Sequence, residues 1–290
     1  MTAPIRVLSL FDGISCLRVA LGDRPIAYYG ASEIDGNAIA ASLANWDDIT
    51  HLGDVRNVKG IKDIDLLVGG SPCTDLSRAN STGEGLKGTR SKLFYEYLRV
   101  LKETKPKYFL LENVASMRHT DRAEITKELG VEPIMIDASL VSAQSRKRLF
   151  WTNIPVKGLP ANRNVTLNTI LQPHDEVDDT YYRRVQTGMT AINKQNEDFD
   201  QLGYFGVKNA CGVGGQALRV YDTNKKSTTS GVALYKTPQG IRRLTPIECE
   251  RLQSLPDDYT NFLDSDAVRY KCLGNGFNVE VIKYILSFMQ

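Results

Sequence analysis

The chain has 290 residues, 42% hydrophobic and 24% charged, enough for one large domain, or one large and one small, built around an unstapled core. Its 36 basic and 34 acidic residues leave a net charge of +2, so a nucleic-acid surface has to come from local clustering of charge. Five scattered cysteines without a CxxC pair, and only three histidines, exclude a disulfide framework and argue against a metal site, while no apolar run reaches membrane-spanning length.

The start, Met1 to Arg6, leads directly into a strand-like run without a signal-peptide layout, so a cytoplasmic protein is expected. Arg6–Phe11 reads as a buried strand ending at Asp12-Gly13, and Ser15–Leu21 as a helix. Ile26–Ser32 is a second strand and Ile34–Asn45 an Ala-rich helix. Ile64–Gly70 is a strand running into a turn, Leu93–Glu103 a helix, and Tyr108–Leu111, Ile134–Ile136 and Leu149–Thr152 are further strands. Strands alternating with helices predict an α/β fold, a doubly wound, mostly parallel sheet with helices on both faces. After Pro155 the texture changes. Residues 156–240, rich in Asn, Gln, Thr, Gly and Tyr, show little periodicity and read as a small, irregular, partly β insert. Helical pattern returns at Thr245-Pro246-Ile247-Glu248, an N-cap with proline at the first helical position and glutamate at the third. Asn278–Met289 reads as a closing amphipathic helix.

In a doubly wound sheet the ligand crevice lies outside the carboxyl ends of the strands. Phe11, Asp12, Gly13 and Ile14 occupy the first such turn, where glycine permits close backbone approach. Glu33, with Ile34 beside it, ends the second strand, where a carboxylate suits ribose hydroxyls; Asp54 and Val55 form a third, acidic loop. The three in register point to a nucleoside-containing cofactor without separating NAD from S-adenosylmethionine. Cys73 follows Gly69-Gly70-Ser71-Pro72 at the end of a strand, over the same crevice, and precedes a polar, Gly-rich stretch with the look of a lid. That setting is not one of core packing. Cys16, Cys211, Cys249 and Cys272 are instead expected to be buried small hydrophobes.

At these residues the sequence resembles the DNA cytosine-5 methyltransferases. Ser71-Pro72-Cys73 looks like their nucleophile motif, Glu112-Asn113-Val114 like Glu-Asn-Val, and Gln144-Ser145-Arg146-Lys147-Arg148 like Gln-x-Arg-x-Arg. Arg243–Cys249 through Leu255-Pro256-Asp257 resembles the block before the last helices, and Gly274-Asn275-Gly276-Phe277 the Gly-Asn-x motif that closes the methyl-donor pocket. The resemblance spans all but about residues 156–215. Leu10–Ile14 and Ser71–Ser77 look closer to the animal de novo enzymes, the later blocks more like bacterial or phage ones. Ser15-Cys16-Leu17 departs from the family, where small residues and glycine are usual.

The resemblance implies a Rossmann-like S-adenosylmethionine-dependent methyltransferase, with a catalytic domain at 1–155 plus 241–290 and a target-recognition region at 156–240. It implies methyl transfer to carbon 5 of cytosine in double-stranded DNA, leaving S-adenosylhomocysteine. Cys73 would add to carbon 6 and make carbon 5 nucleophilic. Glu112 would serve N3, its pKa raised by burial, with Asn113 a bystander that shapes the turn. Arg146 and Arg148, alternating along one strand and so facing one side, would hold the base and support the thiolate. Pro72, Leu93, Asn275, Gly276 and Phe277 would join Phe11–Ile14, Glu33, Ile34, Asp54 and Val55 around the methyl donor. The base must be extruded, at a cost of roughly a few kcal/mol of unstacking. Ser77, Arg78, Asn80, Lys87 and Lys92 are the expected DNA contacts of the lid, and Arg219, Lys225, Thr228 and Thr229 those of the recognition region. A monomer on DNA is expected, with a restriction endonuclease for the same site as a candidate partner and no membrane. The alternative is a tRNA cytosine-5 methyltransferase of the same fold; the Pro-Pro-Cys and Cys-Phe-Thr blocks usual in such relatives are missing here.

Overall fold

The apolar runs become the central strands of a sheet. The structure, a computed structural model, describes residues 3–72, 92–166, 169–183, 234–237 and 240–290. The chain groups into two compact units, Met1–Asp137 with Lys147–Leu159 and Val281–Gln290, and Ala138–Arg146 with Pro160–Glu280. Residues 241–280, expected to return to the catalytic domain, thus fall in the second unit.

The first unit runs β1 (Ile5–Leu10), α1 (Cys16–Leu21), β2 (Ile26–Ser32), α2 (Gly36–Asn45), β3 (Ile49–His51), a 3-10 turn at Val55–Asn57 and β4 (Leu66–Gly70). It continues with α3 (Leu93–Thr104), β5 (Tyr108–Val114), α4 (His119–Leu129), β6 (Ile134–Asp137) and β7 (Lys147–Thr152). The strands form one seven-stranded sheet in the order β3-β2-β1-β4-β5-β7-β6. Pairing is parallel from β3 through β5, and β7 is antiparallel to both of its neighbours. Leu66, Leu67 and Val68, and Leu110 and Leu111, are fully buried. Such continuous apolar strands are what a sheet covered on both faces requires. On one side Phe94, Tyr97 and Leu98 of α3 pack with Leu67, Leu111 and Trp151, each large side chain contributing about 1.5–3 kcal/mol of burial.

Two elements escape the sequence pattern. Helix α4 buries only Ile125 and Asp121, too little apolar surface to set a period, and β3 is three residues long. Strand β5 also runs further than Leu111, so that Glu112, Asn113 and Val114 belong to it.

The second unit contains α5 (Thr180–Arg183), a two-stranded antiparallel hairpin of β8 (Leu234–Thr237) and β9 (Gly240–Arg243), α6 (Pro246–Leu252) and α7 (Asp266–Asn275). The last helix, α8, spans Val279–Leu286. The expected N-cap is present as a full capping box: Thr245 Oγ accepts from Glu248 N–H, and the Glu248 carboxylate accepts from Thr245 N–H at 2.8 Å. Glu248 is wholly buried and also takes a fork from Arg242 at 2.6 and 2.9 Å, with Gln172 N–H as a further donor. A buried carboxylate this well partnered is tolerated where a lone one is not. Among the described residues no helix is long and apolar enough to cross a membrane.

Candidate active site

Strand order reverses between β1 and β4, so the crevice opens past their carboxyl ends. Leu10 lies opposite Gly69, and Gly70 opposite Glu112. The backbones here are close. A Cβ on Gly69 would meet the Tyr97 ring at 2.8 Å and the Leu10 carbonyl at 3.3 Å, so only glycine fits. Ser71 and Pro72 continue from β4, Ser71 buried and Pro72 half-buried. Cys73, Ser77, Arg78, Asn80 and Lys87 lie outside the described residues, as do Arg219, Lys225, Thr228, Thr229 and Cys211.

The turn after β1 is backbone-strained. Phe11, Gly13 and Ser15 have φ of 58°, 61° and 60°, a left-handed region that costs a non-glycine residue about 1–2 kcal/mol. Such strain is typical of functional turns held by their surroundings. Gly13 N–H donates to Glu33 Oε2 at 2.9 Å, and a Cβ on Gly13 would face open space. The other Glu33 oxygen accepts from Ile34 and Asp35 N–H at 2.8 and 2.9 Å. A carboxylate has about four acceptor sites, so Glu33 keeps one for a further donor. Ile34, beside it, is 70% exposed.

Several expected donor-site residues turn inward instead. The Asp12 side chain is buried, accepting from Ser15 Oγ at 2.5 Å and Tyr29 Oη at 2.8 Å. Burial pushes its carboxyl above the ordinary range. Its backbone is engaged as well, the N–H donating to Ser32 O at 3.1 Å and the carbonyl accepting from Ser15 N–H at 3.2 Å. Ile14 and Val55 are buried, Val55 within the main apolar cluster. Leu93 is half-buried as the first residue of α3, and Phe11 also packs on the cluster; Lys92, before α3, is exposed. Asp54 caps the 3-10 turn and is gripped by Arg56, whose backbone N–H and Nε lie 2.9 and 3.0 Å from its Oδ1. The guanidinium holds the Asp54 carboxyl down at about 2.

The end of β5 carries two further groups. Glu112 forms an ion pair with Arg148 at 2.8 Å, both largely buried. In the β5–β7 register Glu112 lies opposite Phe150 and Val114 opposite Arg148, so the pair joins diagonal neighbours on one face. The carboxyl is therefore not the solitary desolvated acid that the sequence suggested but one half of a charge pair. Asn113, the expected bystander, is 1% exposed and donates through Nδ2 to both the carbonyl and the hydroxyl of Ser71 at 3.1 Å. The signal for it was available: an asparagine inside an apolar strand is buried, and buried polar groups need partners.

Arg146 requires a correction. Strand β7 starts at Lys147, so Arg146 precedes it and belongs to the second unit; it does not alternate with Arg148 on one strand face. Its buried guanidinium donates through Nη2 to the carbonyls of Gly274 and Gly276 at 3.2 and 2.9 Å. Gln253 Nε2 adds a bond to Leu273 O at 2.7 Å. Arg146 thus braces the Gly274–Phe277 turn, where Asn275 is exposed and Phe277 buried. Cys16, Cys249 and Cys272 are buried and form no disulfide among the described residues. Among the described residues no group of three or more His, Cys, Asp or Glu is arranged to hold a metal.

The model of a protein family described as C-5 cytosine-specific DNA methylase matches residues 5–290. A Type II methyltransferase of Lactococcus lactis subsp. cremoris, M1.ScrFI, is 30% identical over 312 residues, covering 99% of this chain and 78% of its own. The Type II methyltransferase M.Bsp6I of Bacillus sp. (strain RFL6) is 26% identical, with 97% of each chain covered. Among solved structures, the Entamoeba histolytica methyltransferase EhMeth superposes with a TM-score of 0.69 at 15% identity, over 99% of this chain and 98% of the other. At that identity the likeness speaks for the fold alone.

Proposed function

The chain belongs to the C-5 cytosine-specific DNA methylases and methylates carbon 5 of cytosine in DNA; we propose that it does so with S-adenosylmethionine as donor and Cys73 as covalent nucleophile. The observation that carries the proposal is the register that sets Gly70, three residues before Cys73, level with Glu112. It supports a thiolate and a carboxyl acting on the same base.

The donor assignment is supported by the first unit. Gly13 faces open space, Glu33 keeps an acceptor site beside it, and the exposed Ile34 offers an apolar surface to a ring. These groups fit a nucleoside. Bound there, S-adenosylmethionine supplies an electrophilic methyl group. Glu33 would orient the ribose and the Gly13 turn would lie against the donor.

Cys73 adds to carbon 6 as its thiolate, forming a carbon–sulfur bond and pushing electron density onto carbon 5 and N3. Glu112, protonated when the base enters, gives its proton to N3 during that addition, and Arg148 pairs with the carboxylate that results and presents its remaining N–H groups to the base. Carbon 5 takes the methyl group; water then accepts the carbon 5 proton as the Cys73 thiolate is expelled, and N3 returns its proton to Glu112, which restores the ring. Ser77, Arg78, Asn80, Lys87 and Lys92 close over the extruded base, and Arg219, Lys225, Thr228 and Thr229 read base edges. The protein acts as a monomer on double-stranded DNA in the cytoplasm of a bacterial or phage-infected cell, and an endonuclease directed at the same sequence is the partner class.

The test is base-resolution mapping of 5-methylcytosine in DNA from cells expressing the protein, beside transfer of labelled methyl from S-adenosylmethionine in vitro. The expected result is methylation at one short sequence. Label entering tRNA and not DNA would overturn the substrate.

A further inference from the structure

The strained turn after β1 rests on polar side chains that the methyl-transfer chemistry does not use. Ser15 stands at the N-cap of α1, yet its hydroxyl makes no cap bond. It is wholly buried and turned inward, 2.5 Å from Asp12 Oδ2 and 2.6 Å from Ser42 Oγ. Tyr29 bonds the other Asp12 oxygen at 2.8 Å, and Ser42 Oγ lies 3.5 Å from His51 Nε2. An ionised carboxylate only accepts. With Asp12 ionised, the single Ser15 proton goes to Asp12, and the Ser42 proton goes to Ser15. The run ties the turn to β2, α2 and β3, the elements that frame Glu33.

We infer that Ser15, backed by Ser42, is a positioning residue for the methyl donor: the buried hydroxyls hold Asp12, and through it the Phe11–Ser15 turn, with Gly13 fixed against Glu33. The inference rests on the donor assignment above. Three left-handed residues in one turn give the backbone easier conformations to relax into. Ser15 is not glycine and gains nothing from that backbone itself; its hydroxyl, placed between Asp12 and Ser42, is what the conformation secures. Without the hydroxyl the turn samples other states, and donor affinity falls by the fraction of chains that leave the competent one.

The experiment uses the full chain and titrates S-adenosylhomocysteine by calorimetry into wild type, Ser42→Ala and Ser15→Gly. Ser42→Ala places a strong helix former in α2 and severs the run one link from the turn. Ser15→Gly tolerates the left-handed backbone and removes the hydroxymethyl group. Thermal unfolding without ligand and DNA affinity without donor are measured in parallel. The expected result is a Kd for S-adenosylhomocysteine raised about tenfold in each variant, as for a lost buried hydrogen bond. DNA affinity is unchanged, and in turnover KM for S-adenosylmethionine rises while kcat holds. Folded variants with wild-type Kd, whatever their melting temperature, would overturn the inference. If Ser15→Gly does not fold, Ser42→Ala decides alone. A wild-type protein that binds no S-adenosylhomocysteine would sink the donor assignment instead, a result distinct from the other two.

Discussion

The side-chain amide of Asn113 grips Ser71 twice, donating to its carbonyl and to its hydroxyl at 3.1 Å each. The asparagine oxygen in turn accepts from Val114 N–H at 2.8 Å, so the group is fixed at both ends. Ser71 is two residues from Cys73 in sequence. Asn113→Ala strands the Ser71 polar atoms in a buried site, at a cost of about 1–3 kcal/mol of stability, and slows addition of Cys73. Denaturant titration measures the first effect; the rate of adduct formation with 5-fluorocytosine DNA measures the second. An unchanged adduct rate in a destabilised protein would mean that Asn113 serves folding only.

Cys73→Ser abolishes turnover, because a serine hydroxyl is a far weaker nucleophile at neutral pH, while S-adenosylhomocysteine still binds. Single alanine variants of Cys16, Cys249 and Cys272, all buried, keep the 5-fluorocytosine adduct. Loss of the adduct in one of these, with Cys73 intact and the protein folded, would move the nucleophile elsewhere.

The sheet was legible because its strands are runs of branched and aliphatic residues with turn residues at their ends, and the capping box of α6 was legible because it is written in four consecutive residues. Side-chain partnerships between distant residues were not. Nothing local to Asp12 reveals that it faces Ser15 and Tyr29 rather than a ligand, and nothing local to Arg146 reveals the carbonyls of Gly274 and Gly276 about 130 positions on. Motif spacing singled out these positions; only the three-dimensional partners say whether a side chain faces a site or the scaffold. Helix α4 was missed for another reason, since it fully buries one apolar side chain, Ile125, and docks otherwise through the half-buried Leu129 and the Trp151 Nε1 bond to Thr126.

Asp12 gives a pH signature. Burial raises its carboxyl above the ordinary carboxylate range. The folded chain then binds this proton more readily than the unfolded chain, so the Asp12 contribution to stability falls as pH rises from about 4 through the folded-state value. Asp12→Asn removes that slope. It also replaces one acceptor oxygen by a donor, so the variant is less stable throughout. Urea midpoints followed between pH 4 and 7 separate the two: the variant is expected to lose less between the ends of the range. A steeper fall in the variant would show that Asp12 titrates in the opposite sense.

Substitutions in the two segments proposed to contact DNA have separable signatures. Lys87→Ala and Lys92→Ala weaken binding to all sequences and flatten its salt dependence, as loss of phosphate contacts does. Arg219→Ala, and changes at Lys225, Thr228 and Thr229, alter which sequences are methylated more than the rate at the best site. Binding titrations at several salt concentrations, with bisulfite profiles of methylated DNA, distinguish them. A profile unaffected by the second set would place base reading in another part of the chain.

The Glu112–Arg148 pair makes the sharpest demand. The two lie 2.8 Å apart, with side-chain exposures of 13% and 19%, so water screens them little. On the proposed mechanism the proton at N3 is needed only while the thiolate adds, which means Glu112 stabilises the transition state more than the bound ground state. Glu112→Gln keeps the shape and a hydrogen bond but transfers no proton. It should lower kcat by about 10²–10⁴, the range of a lost general acid, with DNA affinity nearly unchanged. Arg148→Lys keeps the charge but loses the planar fork, and should lower kcat by a smaller factor. Because the residues are direct partners, their effects do not add: the double variant should be little slower than Glu112→Gln alone. Single-turnover kinetics beside DNA titrations of all four proteins complete the cycle. Full additivity would mean the ion pair is incidental to catalysis. A Glu112→Gln enzyme that binds DNA poorly but methylates at the normal rate once saturated would make Glu112 a substrate-holding residue, and the proton at N3 would have to come from another group.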